Sequence, residues 1–261
     1  MVDVHALIED LRAEQEELAG LLTDLDDAAW ARPTPAPGWS IADQVAHLSF
    51  FDRAARLALT GPEGFDALLT KAMADPEGFT EPDPVPAERL LPEWKEAAGE
   101  LRTALAEAPP GTRVPWFGPP MSVPSKATAR LMETWAHGQD VVDALGVRRR
   151  PTARLRHVAH IAVRARPFSY LTRELPAPEE PVRVELEAPD GSAWHLGPAG
   201  ADQVVTGNAE EFCLVLTRRR HPDDTDLRAR GALAREWLEI GQAFAGPPGE
   251  GRRPGQFDTE S

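Results

Sequence analysis

The chain has 261 residues, 42% of them hydrophobic, enough for one large domain or two small ones with a packed core. Its formal charge of −14 argues against nucleic-acid binding, which needs a basic surface for phosphate contacts, and against an anionic membrane surface. A single cysteine, Cys213, excludes an intramolecular disulfide, and no apolar run nears the roughly 18–20 residues of a membrane span.

The segment Met1-Val2-Asp3-Val4-His5 lacks a basic-then-apolar leader pattern, so a cytoplasmic location is expected. Residues 3–25 are predicted helical, with Leu7, Leu11, Leu18, Leu22 and Leu25 in one stripe. The prolines of Arg32–Gly38 break that helix. Ser40 is the expected N-cap of the next, with Asp43 three residues on in a near capping box. This helix runs to about Leu59 on an apolar stripe of Ile41, Val45, Leu48, Ala55 and Leu59, and His47 lies on the opposite side. Residues 61–87 read as a short helix plus loop, and 88–107 as a long helix buried through Leu90, Leu91, Trp94, Leu101 and Leu105. Six prolines in 109–124 exclude a regular element there. A fourth long helix spans about 125–145 and stops at Gly146, with Leu131, Trp135, Gly138, Val142 and Leu145 facing inward and Glu133 and His137 turned away from them. Four long helices with proline-rich connections predict a four-helix bundle over residues 1–150.

The pattern then changes. One more helix is expected over 153–174, followed by strands at 182–188, 193–196 and 203–206 and helices at 208–218 and 228–245. Pro189-Asp190-Gly191 supplies the hairpin turn. Residues 151–246 are therefore a small α+β domain, and 247–261, rich in Gly, Pro and charge, a disordered tail. The whole chain is α+β, mainly α.

The chemistry-bearing residues are few. Glu133 and His137 stand at i, i+4, so one turn of helix puts a carboxylate and an imidazole on one face. His47, from a neighbouring helix, completes a three-ligand set with an open coordination position, the pattern of a catalytic metal. Each of these residues alone is more often solvated. Yet both helices also carry apolar residues on the ligand side (Phe50, Phe51, Val141), so the polar groups are expected to be buried and to need a cation. Two histidines and a carboxylate suit zinc foremost, and also iron, nickel or cobalt. Asp43 and Asp140 are spaced so that either could orient a ligand imidazole, but a surface carboxylate is the favoured reading for both. His157 and His160 sit among Arg154, Arg156, Arg164 and Arg166, a solvated or anion-binding face. Cys213 lies in an apolar run and reads as an inert core thiol.

Two of these segments resemble known signatures. Pro37–Leu48 is similar to the first signature of the mycothiol-dependent maleylpyruvate isomerase family, part of a superfamily of metal-binding bundles that includes DNA-damage-inducible proteins. Arg130–Asp140, continuing to Leu145-Gly146, resembles the second, and Trp116–Val123 the loop before it. Asn208–Arg220 resembles the α+β domain that actinobacterial members append. The resemblance implies that His47, Glu133 and His137 are the metal ligands. It also implies that a low-molecular-weight thiol, mycothiol, acts on a small electrophilic substrate by transfer or cis–trans isomerisation. Trp39, Trp116 and Phe117 are candidates to line the cofactor pocket, with core packing the expectation for Trp39. The superfamily also leaves open a thiol-independent metal enzyme of secondary metabolism or a non-catalytic ligand-binding protein. The expected partner is a small molecule, and a homodimer is allowed.

Overall fold

The structure, a computed structural model, describes residues 3–74 and 85–257. The chain divides into two compact units, Met1–Arg149 and Arg150–Ser261. The first holds helices α1 (Val4–Leu22), α2 (Asp27–Trp30), α3 (Ile41–Thr60), α4 (Pro62–Ala74), α5 (Ala87–Glu107) and α6 (Val123–Leu145). Its long helices pack in a ring, α1 on α5 and α6, and α3 on α5 and α6. Leu18 and Leu22 of α1, Ile41, Val45 and Leu48 of α3, Leu90 and Trp94 of α5 and Val141 of α6 form one buried cluster at its centre. The stripes read from the sequence for α1, α3 and α5 are thus inward faces, whereas α6 enters this cluster through Val141, read from the sequence on the ligand side, and buries Leu131, Trp135 and Val142 as well. Burial of such side chains contributes roughly 1.5–3 kcal/mol each.

Local signals set where α3 and α6 begin and end. Ser40 Oγ accepts from Asp43 N–H at 3.3 Å, while Asp43 Oδ2 accepts from Ser40 N–H at 2.7 Å, a complete capping box. Ser40→Ala is expected to cost about 1 kcal/mol, read as a lower urea midpoint at unchanged slope. Helix α6 starts on Ser122, whose Oγ accepts from Ser125 N–H, and ends on Gly146, whose φ of +68° a side chain with Cβ adopts at a cost.

The expected irregular stretch 109–124 contains two very short strands, β1 (Arg113–Val114) and β2 (Met121–Ser122), paired antiparallel. The prolines between them forbid a longer ladder but not a two-residue one. The helix expected in 61–87 is α4, and the loop after it falls on 75–84, outside the described residues.

In the second unit, the helix expected over 153–174 is two helices, α7 (Leu155–Arg164) and α8 (Arg166–Leu171). Pro167 sits in the first turn of α8, where its missing N–H costs nothing; inside a continuous helix it would break the ladder. Strands β3 (Val182–Glu187), β4 (Ala193–Leu196), β5 (Gln203–Asn208) and β6 (Arg228–Arg230) form a sheet in the order β4-β3-β5-β6. Only the central β3–β5 pair is parallel. Val182, Val184 and Leu186 alternate inward along β3, as their period of two predicts. Helices α9 (Ala209–Leu216) and α10 (Ala232–Ile240) complete the unit. Residues 228–230, expected as helix, instead pair with β5, because Gly231 at φ +98° lets the chain turn before α10 starts. The described part of the expected disordered tail is tethered: Gly255 N–H donates to Asp224 Oδ1 at 2.7 Å, and Phe257 lies under Arg220. Residues 258–261 lie outside the described residues. Among the described residues no helix is long and apolar enough to cross a membrane.

Candidate metal centre

Helices α3 and α6 face each other with matching polar stripes. On α3, Gln44, His47 and Phe51 follow at i, i+3, i+7; on α6, Lys126, Arg130, Glu133 and His137 follow at i, i+4, i+7, i+11. Each stripe winds along one face of its helix, and on α6 the next position one turn on, Val141, enters the apolar cluster that packs the ring.

The structure brings all three predicted ligands together. One candidate ligand atom from each of His47, Glu133 and His137 lies within 4.8 Å of the others. His137 Nε2 is 3.1 Å from Glu133 Oε2 and His47 Nε2 is 3.9 Å from the same oxygen. The imidazole centroids are 4.4 Å apart. The three side chains are only 15%, 20% and 11% exposed, taking His47, Glu133 and His137 in turn.

A hydrogen-bond relay fixes His137. Thr34 Oγ1 donates to the Trp39 carbonyl at 2.8 Å and accepts from Gln44 Nε2 at 2.9 Å. Gln44 therefore turns Oε1 toward His137 Nδ1, 2.5 Å away, and that nitrogen must be the donor. Nε2 is left facing the Glu133 carboxylate. A ring whose only proton is on Nδ1 would set two lone pairs against each other at 3.1 Å. The contact is favourable only with a cation between them, either a second proton or a metal.

His47 carries the second sign of fit. Its Nδ1 is buried with no hydrogen-bond partner. Burial, with the neighbouring His137, lowers its pKa to about 4, so the ring is neutral at pH 7 and free to ligate. Burial pushes the Glu133 carboxyl up, but its hydrogen bond with His137 and the nearby His47 imidazole, 3.9 Å away, outweigh this and hold it well below the usual range. Two imidazoles and one carboxylate make a donor set suited to a divalent cation of zinc type.

Around the triad the walls are aromatic. Trp39 lies 5.2 Å from the His47 ring and 6.0 Å from the His137 ring. It is half-buried on the site rather than packed in the core as the sequence suggested, because the turn at Gly38 (φ +78°) and the Pro33–Ser40 bridge fold it back over α3. Phe51 sits 4.6 Å from His47. Trp116 and Phe117 reach Phe51 at 6.1 and 5.9 Å; Trp116 stacks on Phe65 of α4 and Phe117 meets it tilted, so they form an outer wall one side chain removed from the histidines.

Asp43 is exposed, as its favoured reading has it, and committed to the capping box, while Gln44 orients His137. Asp140 is fully buried. Behind the triad, Arg130 Nε donates to Asp52 Oδ1 at 2.8 Å, Arg130 Nη2 to the Leu48 carbonyl at 3.3 Å, and Trp94 Nε1 to Asp52 Oδ2 at 3.1 Å. This buried network joins α3, α5 and α6. Gln44, Asp52, Arg130 and Lys126 went unread in the sequence as parts of a site. Gln44 three residues before His47, and Lys126 and Arg130 seven residues before Glu133 and His137, were the available signal; Asp52, five residues past His47, carried none.

Comparison with known proteins identifies the family and the fold. The family description "Mycothiol maleylpyruvate isomerase N-terminal domain" matches residues 11–142, and "Wyosine base formation" matches residues 178–230. An uncharacterized protein of Mycobacterium tuberculosis, from strains CDC 1551 / Oshkosh and ATCC 25618 / H37Rv, is 49% identical over 257 residues, spanning 97% of this chain and 100% of the relative. Two crystal structures of the mycothiol-dependent maleylpyruvate isomerase share the fold, one of them a histidine-to-alanine mutant. They superpose with TM-scores of 0.58 and 0.56 at 16% and 17% identity, over 87% of this chain and 93% of theirs. With a family match over half its length and signatures that fall on α3 and α6, the chain belongs to the mycothiol maleylpyruvate isomerase N-terminal domain family.

Proposed function

We propose that His47, Glu133 and His137 hold a divalent metal, zinc foremost. On this reading the protein is a mycothiol-dependent isomerase or transferase acting on a small electrophilic substrate. The observation that carries it is the paired orientation of His137 Nε2 and Glu133 Oε2, 3.1 Å apart, which the Gln44 relay makes favourable only around a cation. The family match supports the thiol. A metal with three protein ligands keeps a position for the thiol and lowers its pKa, supplying a nucleophile at neutral pH.

The chain's own residues do the rest. Gln44 fixes the His137 tautomer. Trp39 and Phe51 shield the ligands from water and so strengthen their electrostatics. Trp116, Phe117 and Phe65 build an apolar wall against which a substrate can lie.

The test is cobalt substitution. The expected protein binds one Co2+ per chain, and mycothiol adds a thiolate-to-metal charge-transfer band that His47→Ala abolishes. Stoichiometric cobalt with no spectral response to mycothiol would leave a metal enzyme without a thiol. Absence of stoichiometric metal would sink the proposal altogether.

A further inference from the structure

The chain contains three lysines against 25 arginines. Lys71 and Lys95 are exposed, whereas Lys126 is fully buried, two turns before Glu133 on the ligand-bearing stripe of α6. Its Nζ has no hydrogen-bond partner and stands 3.0 Å from the centroid of the Trp116 ring. Arg130 follows one turn later, with its own charge already matched by Asp52. The indole face attracts an ammonium, but a buried amine without a hydrogen-bond acceptor and beside a second cation loses more by desolvation and repulsion, which disfavours the ammonium form and activates lysine as a nucleophile. Burial foremost, then Arg130, against a smaller pull from Glu133, brings the Lys126 pKa down to about 6. An arginine at this position could not lose its proton. What covers the amine is an indole on the irregular segment between β1 and β2, itself only half-buried.

We propose that Lys126 is a carbonyl-capturing amine, a second reactive group on α6 that takes a small aldehyde or ketone as an imine. The Nζ lone pair adds to the carbonyl carbon, and a nitrogen proton passes to the oxygen to give a carbinolamine. The hydroxyl then leaves with the remaining amine proton as water, forming C=N, with no oxidant or reductant required. This chemistry uses none of the metal ligands and stands whether or not a metal binds.

Reductive trapping tests it on the full chain. The protein is incubated with acetaldehyde and sodium cyanoborohydride at pH 7, and the lysine-containing peptides are mapped by mass spectrometry. Lys126 is expected to be ethylated at least about tenfold faster than Lys71 or Lys95 despite its burial. Lys126→Arg, which keeps a cation of similar length, is expected to stay folded by circular dichroism and to lose only this label. Modification of Lys71 and Lys95 first, with Lys126 reacting no faster than they do or only in denaturant, would overturn the proposal.

Discussion

Replacing Asp52 by alanine is expected to destabilise the protein by about 3–5 kcal/mol, the cost of breaking a buried ion pair from one side. Asp52 is fully buried and Arg130 nearly so. The carboxylate accepts from the Arg130 guanidinium and the Trp94 indole, and the arginine also donates to a backbone carbonyl of α3. Without Asp52 the guanidinium keeps its charge, since arginine does not deprotonate, and loses its counter-ion in a low-dielectric interior. Asp52→Asn retains shape and one acceptor, so its loss should be smaller. The double replacement Asp52→Leu with Arg130→Met removes both charges and should recover much of the difference. Urea unfolding monitored by far-ultraviolet dichroism gives all three values. A loss below about 1 kcal/mol for Asp52→Ala would mean that water already reaches the pair.

Acid should weaken the metal-free protein sharply. His47 has its pKa lowered by burial, from 6.5 to about 4. Between those values the unfolded chain binds a proton that the folded chain does not, so stability rises with pH across that window. The contribution is complete above about pH 6.5 and is lost as pH falls toward 4, amounting to about 3 kcal/mol at one pKa unit per 1.36 kcal/mol. Glu133, held below the ordinary carboxylate range, adds a loss of the same sign at lower pH. Lys126 acts in a separate window, with stability rising between about pH 6 and 10.5. Thermal melts of chelator-treated protein at pH 4.5 and 7 test the first window. His47→Asn should flatten the profile there. Zinc at about a thousand times its dissociation constant should add about 4 kcal/mol at pH 7, and less in acid where protons compete for the ligands. An unchanged profile in His47→Asn would show that the acid response comes from elsewhere.

The long helices were legible because their apolar residues recur at helical spacing and because Ser40 and Gly146 punctuate them. The triad was legible from i, i+4 spacing and one off-stripe histidine. The hydrogen-bond relay was not. Glutamine on a helix reads as a solvated residue, and only the fold of 33–40 reveals that Gln44 is clamped between Thr34 and His137. The Asp52–Arg130 pair spans 78 residues of sequence, and no local pattern joins them. Strand β6 escaped because Arg-Ala-Arg has neither the length nor the apolar alternation of a strand, and its pairing comes from the exposed edge of β5. Trp39 was misjudged because a tryptophan flanking a helix is usually core, and the turn that lifts it over the histidines depends on two loop glycine and proline conformations.

The ring of helices has an evolutionary corollary. Both ligand-bearing segments, 33–60 and 123–145, are held together by Gln44 and Arg130, and neither partner lies in the 62 residues between them. That intervening stretch supplies α5 as a buttress, but it also supplies Phe65, Trp116 and Phe117, the outer wall. The candidate ligand cluster and the outer wall therefore come from different stretches of one unit. A lineage can remodel the wall, and with it the compounds admitted, while the ligand cage is inherited unchanged.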